Sequence, residues 1–110
     1  MTSDSQSPNH ADGPISDAAL FKALGDANRL LMLGEIAANP GICACRLLET
    51  FDMSQSTLSH HMSLLKNAGF ITCEKRGKWC RYALSESGFL AASTYVDRML
   101  ERARQHRLEG

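Results

Sequence analysis

This sequence has no surplus of either charge: twelve basic and twelve acidic side chains leave a formal net charge of zero. A generic nucleic-acid binder held by overall charge is thereby disfavoured. No apolar run approaches the length needed to cross a bilayer, and the N-terminus lacks a basic-then-apolar signal segment. A cytoplasmic chain with no membrane partner is expected. Two-residue Cys-x-x-Cys knuckles are missing although there are four cysteines, so a tetrahedral zinc or cadmium site ranks low. A Gly-rich phosphate loop, a paired-carboxylate cleft and a placeable nucleophile–base pair are absent too, and an enzyme is not expected.

What is present is one globular domain's worth of chain, 110 residues of which 44% are hydrophobic. The first fifteen, MTSDSQSPNHADGPI, are polar and broken by Pro and Gly, and read as a disordered tail. Residues 16–110 then form the folded domain, a small core for which an oligomer would add burial. The neutral total hides a local excess. Met53 to Leu84 holds five basic residues against one acidic, a net +4, whereas Met1 to Asp52 is net −4. A field able to steer phosphate is concentrated in that middle segment.

Within it, Met53 to Phe70 reads as a helix capped by Ser54, with Leu58, Met62 and Leu65 as its apolar stripe and Gly69 as its stop. The other face carries Gln55, Ser56, Ser59, His60 and Ser63 with no acid, and Lys66 lies one turn on. Such a face can enter the major groove and offer donors to base edges. His61, beside the stripe, is expected half-buried and structural. Upstream, Ser16 caps a short helix containing Ala19, Leu20, Phe21 and Leu24. Asp26 caps a second, with Leu30, Leu33 and Ile36 or Ala37 inward, and Asn39-Pro40-Gly41 ends it. A third helix turns Leu47, Leu48 and Phe51 inward and joins the reading helix through a tight turn, a helix-turn-helix.

Downstream, Ile71 to Lys75 and Lys78 to Leu84 form a hairpin closed at Arg76-Gly77, its tip basic through Lys75, Arg76 and Lys78. That register sets Cys73 opposite Cys80. Tyr82 is expected to face the helices. A basic hairpin directly after a recognition helix is a wing that meets phosphate or the minor groove. Ser85 to Arg107 is a long amphipathic helix, with a break expected near Gly88, whose Phe89, Ala92, Val96, Met99 or Leu100, and Ala103 make a seam for a second helix. The fold class is therefore mainly α with a small β-hairpin, a winged helix-turn-helix dimerising through its terminal helices, with Leu20, Phe21, Phe89, Val96 and Leu100 as interface candidates.

Three separated strings in this order, Phe21-Lys22-Ala23-Leu24-Gly25-Asp26-Ala27-Asn28-Arg29, Ser54-Gln55-Ser56-Thr57-Leu58-Ser59-His60-His61-Met62 and Gly77-Lys78-Trp79-Cys80-Arg81-Tyr82-Ala83-Leu84, resemble the ArsR/SmtB metalloregulatory repressors. That resemblance, which spans about Leu20 to Ala103, implies a homodimer that represses from operator DNA and is released by an inducer. It implies that Gln55, Ser56, Ser59 and His60 read bases and that Lys66, Arg76 and Lys78 touch phosphate. The arsenic-sensing branch carries a Cys-x-Cys where this chain has Cys43-Ala44-Cys45. The zinc branch's Asp-x-His on the terminal helix is not matched, because Asp97-Arg98-Met99 lacks the histidine and His106 and Glu109 are wrongly spaced.

Cys43 falls at a helix N-cap, where free amides and the helix dipole favour a thiolate, and Cys45 lies within the first turn. Two such thiols form a pincer for a soft ion, As(III) or Sb(III). Where that arsenic branch has its third cysteine, this chain has Leu48. Either a solvent or small thiol completes the site, or Cys73 or Cys80 supplies the third sulfur, the latter if the extended segment before the third helix lies along the second wing strand. Core packing is the other reading of Cys73 and Cys80. A thiol-redox or reactive-sulfur sensor of the same fold would use the same pair. A thiol-rich dimer that sequesters metal or binds a partner without reading DNA is the alternative of another class.

Overall fold

A computed structural model describes residues 15–107; the expected N-terminal tail lies, but for exposed Ile15, outside the described residues, as does Glu109. The element order is α1 (Asp17–Leu24), α2 (Ala27–Ala38), β1 (Ile42–Cys43), α3 (Ala44–Phe51), α4 (Gln55–Asn67), β2 (Ile71–Arg76), β3 (Trp79–Leu84) and α5 (Glu86–Gln105). Each of the first four helices begins where a side chain satisfies a free amide. Ser16 accepts from Ala19, Asp26 from Arg29 and Ser54 from Thr57, each at 3.1 Å, and Cys43 Sγ accepts from the Cys45 amide at 3.2 Å. The Arg29 amide is the main reason the Asp26 carboxyl sits below the usual carboxylate range. A lowered carboxylate stabilises the fold at neutral pH, and the contribution is lost as pH falls through the folded-state value.

The core is one cluster, with Leu20, Met32, Ile36, Leu47, Leu58, Leu65 and Phe70 fully enclosed. On α2 the inward stripe is Arg29, Met32, Leu33 and Ile36, spaced i, i+3, i+4, i+7. Leu30, expected inward, is 53% exposed. Leu33 and Ile36 are inward as expected, and the stripe is begun by Arg29 in place of Leu30 and completed by Met32.

The hairpin is part of a three-stranded antiparallel sheet, order β1-β3-β2. Its turn is Gly77-Lys78, one residue later than expected, since Arg76 pairs with Trp79; Gly77 has φ +63°, the left-handed value a primed turn needs. This shift corrects the expected opposition of the two wing cysteines. Cys73 pairs with Tyr82, and Cys80 pairs with Lys75. Cys73 and Cys80 are diagonal neighbours on one face. Tyr82 is buried as expected, while Leu84, on the same alternation, is 41% exposed at the sheet's end.

No break occurs in α5 at Gly88. That glycine is instead buried where the helix start crosses the end of α4: its amide donates to the Gly69 carbonyl at 2.7 Å. A Cβ there would lie 2.5 Å from the Gly69 carbonyl carbon. Gly88→Ala is therefore expected to destabilise by about 1–3 kcal/mol through overpacking against backbone; an unshifted denaturation midpoint would contradict the close approach.

Candidate functional site

The reading helix α4 turns Leu58, His61, Met62 and Leu65 into the core. Every residue expected to touch DNA from it, Gln55, Ser56, Ser59, His60 and Lys66, is exposed, as is Ser63 between them. No acid interrupts this face. The turn into α4 is set by Asp52, which closes α3 in the left-handed conformation (φ 50°). On the wing, Arg76 and Lys78 are exposed. Arg76 pairs with Glu74 at 3.2 Å on the open surface, an interaction worth little and readily exchanged for phosphate.

His61 is buried, and its partner was not foreseen. Arg29, 7% exposed, donates from Nε to the Ala23 carbonyl at 2.7 Å and from Nη2 to the Lys22 carbonyl at 3.2 Å, while its Nη1 meets His61 Nδ1 at 3.0 Å. Since Arg29 can only donate, Nδ1 is the acceptor and the imidazole proton sits on Nε2. One guanidinium thus ties the end of α1, the start of α2 and the buried face of α4 together. Its position on the α2 stripe was the signal that could have revealed it.

Cys43 and Cys45 are joined as a disulfide, with 5.2 Å between their Cα atoms. Cys43 is also a strand residue: it pairs with Arg81 of β3, and Ile42 pairs with Tyr82. Flanking bonds fasten this junction, Gly41 N to the Tyr82 carbonyl at 2.8 Å and Arg81 Nη1 to the Gly41 carbonyl at 3.1 Å. The segment before α3 therefore does lie on the second wing strand. Yet it does not deliver Cys43 to Cys80. Pairing with Arg81 puts Cys43 on the face opposite Cys80 and Tyr82, because strand side chains alternate. No cluster of three or more His, Cys, Asp or Glu side chains able to hold a metal occurs among the described residues.

Cys73 and Cys80 are free thiols, half-buried. With Tyr82 they form one wall of a cleft of about 200 Å³, whose other wall is Ser59, Met62, Ser63 and Lys66 of α4. Burial, then hydrogen bonding with Cys80, pushes the Cys73 thiol up, against the pull of Lys66 and Lys75. Burial likewise pushes the Tyr82 phenol up.

Of the interface candidates, Leu20 is 2% exposed and belongs to its own chain's core. Phe21 packs edge-on against Tyr95 at 5.3 Å, and Phe89 against Phe70 at 4.8 Å. Val96 and Leu100 stand 49% and 45% exposed beside Leu90 and Met99. Asp17, Ala18, Phe21, Tyr95, Val96 and Met99 line an open groove of about 500 Å³ between α1 and α5.

Residues 26–72, from the α2 cap through the reading helix into β2, match the family described as bacterial regulatory protein, arsR family. Across 82 residues the chain is 34% identical to an uncharacterized HTH-type transcriptional regulator of Methanocaldococcus jannaschii, covering 74% of this chain and 92% of that protein. This chain belongs to the ArsR family. It is also 41% identical over 66 residues to the arsenical resistance operon repressor of Bacillus subtilis, covering 60% of this chain and 63% of that repressor. The crystal structure of an ArsR family transcriptional regulator superposes with a TM-score of 0.72 at 24% identity, covering 83% of this chain and 92% of that one. The likeness shows the shared fold: a winged helix-turn-helix in which α3 and α4 are the helix-turn-helix and β2–β3 the wing. No described helix is long and apolar enough to cross a membrane.

Proposed function

We propose that this ArsR-family chain is a cytoplasmic homodimeric repressor that lets go of its operator when As(III) or Sb(III) is taken by the sulfurs of Cys43 and Cys45. The observation that carries it is the meeting of those two sulfurs where β1 pairs with the wing and α3 begins. The residues fit the inducer chemically: two soft sulfurs, adjacent, at a helix N-terminus that favours the thiolate once the bond between them is reduced. Such an ion supplies a strong preference for sulfur in a pyramidal arrangement, and a small cellular thiol completes the set. Zinc and cadmium rank behind, since no third or fourth ligand is gathered there among the described residues.

What the chain's residues do follows from their bonds. Cys43 Sγ caps the first turn of α3, and its backbone is a rung of the sheet that carries the wing. Drawing that sulfur into a new set of bonds removes the cap and pulls on both α3, which supports α4, and β3. The reading helix and the wing lose their relative placement, and the population shifts off DNA. Gln55, Ser56, Ser59 and His60 read bases in this scheme, while Lys66, Arg76 and Lys78 hold phosphate. The apolar α1–α5 groove, with Phe21, Val96 and Met99, is covered together with exposed Leu100 by the second protomer, which sets two reading helices on one face. Phe89 edges that seam, and no catalytic step is involved.

One further reading of the same site has an observation behind it, the existing Cys43–Cys45 bond. In it hydrogen peroxide takes two electrons and two protons from the dithiol, forming the disulfide and two waters. A sequestering dimer, by contrast, has no use for an acid-free helix followed by a basic wing.

The DNA half of the proposal is tested on a duplex selected from a random pool. Lys78→Ala should weaken binding to all sequences alike and reduce the slope of log affinity against log salt by about one. An unchanged slope would remove Lys78 from the phosphate contacts.

A further inference from the structure

The cleft between α4 and the wing is not used by the inducer site, and it holds two sulfurs of its own. Cys73 and Cys80 lie diagonally on the inward face of the hairpin, and both line the wall of the cleft that faces α4. Diagonal positions on paired strands are about 7–8 Å apart, beyond the roughly 4.4–6.8 Å between Cα atoms that a disulfide spans. A direct sulfur–sulfur bond is therefore disfavoured by the register. A single atom inserted between the sulfurs is not: two metal–thiolate bonds of about 2.3 Å each bridge what one disulfide cannot. The site offers two thiols, one buried phenol and a lysine, with no third ligand of the His, Cys, Asp or Glu kind among the described residues. That donor set suits ions content with two sulfurs.

We propose that Cys73 and Cys80 form a second, separate site for a soft cation that takes two thiolates in line, Cu(I) or Hg(II), held between the wing and the reading helix. Binding replaces two S–H bonds with two metal–sulfur bonds and releases two protons to solvent. No electron is transferred. With Cu(I) the bis-thiolate carries one negative charge, and Lys66 on the facing wall neutralises it; with Hg(II) it is neutral. Burial pushes the Cys73 thiol up, and a protonated thiol resists oxidation and alkylation, so Cys73 stays available to an ion that can displace its proton. Ser59 and Lys66 are both cleft wall and outward DNA face, and drawing Lys66 toward the bis-thiolate weakens its hold on phosphate. The site therefore responds to soft metals without Cys43 and Cys45.

The test uses the full chain with Cys43→Ser and Cys45→Ser together, reduced and anaerobic, titrated separately with Cu(I) under a competing chelator and with Hg(II). One equivalent per chain of at least one ion is expected, with ultraviolet thiolate-to-metal absorption and weaker binding to the operator duplex. Adding Cys73→Ala or Cys80→Ala should abolish that equivalent, each in a protein whose circular dichroism and melting show it folded. Failure of the Cys43/Cys45 variant to retain either ion would overturn the proposal, as would uptake that survives both wing substitutions. Because the Cys43–Cys45 pair is absent throughout, the outcome is independent of whether that pair senses arsenic.

Discussion

Cys43→Ser is expected to bind operator DNA as tightly as the native chain and to ignore arsenite. Serine can occupy the α3 N-cap as well as cysteine does, since its hydroxyl accepts from the Cys45 amide now served by sulfur. The β1–β3 rungs, made by backbone, are untouched. What disappears is one of two soft ligands, and with it the coupling between inducer and DNA. Couplings of this kind are typically about 1–3 kcal/mol, roughly 5–150-fold in affinity, and the variant should show none. Anisotropy of a labelled duplex, with and without arsenite under a thiol reductant, measures it. Undiminished release from Cys43→Ser would move the sensor elsewhere.

Arg29→Ala should be the most damaging single change outside the apolar core, costing about 3 kcal/mol or more. Its three donors serve two carbonyls at the end of α1 and the imidazole of His61. The bonds to Ala23 and His61 are buried and that to Lys22 is partly so, and hydrogen bonds to charged groups contribute roughly 1.5–3 kcal/mol each, non-additively. Arg29→Lys should recover little, because an ammonium cannot fork to three acceptors on separate elements. Since His61 is on the buried side of α4, operator affinity should fall along with stability. Denaturant unfolding and DNA titration of the same variant check both; a stable Arg29→Ala protein would show that the guanidinium is not the tie its bonds suggest.

The periodicity of residues 55–67 was enough to find the reading helix and its exposed face, because Leu58, Met62 and Leu65 are apolar and the opposing side chains are short and acid-free. Capping residues located four helix starts for the same local reason. Long-range facts were less accessible. An arginine on a buried stripe looks like a solvated charge until the carbonyls it serves, six and seven residues away, are brought beside it. Hairpin register hung on whether Gly77, whose positive φ suits either place, is the second or the first residue of the turn, and a shift of one residue in the turn moved Cys73 from opposite Cys80 to diagonal. The pairing of β1 with the wing was foreseen, but which face each sulfur takes depends on register again, and that separated Cys43 from Cys80. Leu20 was offered to a partner because it lies on the apolar face of α1; the chain's own core took that residue.

The most direct measurement is a single arsenite titration of the reduced, operator-bound native protein in which arsenic–thiolate absorption and duplex anisotropy are recorded together. If the Cys43–Cys45 pair governs the grip of α4 and the wing, the two signals rise and fall with one midpoint, at one arsenic per chain. Release that runs ahead of the absorption, or full absorption with the duplex still bound, would contradict the link between those sulfurs and DNA.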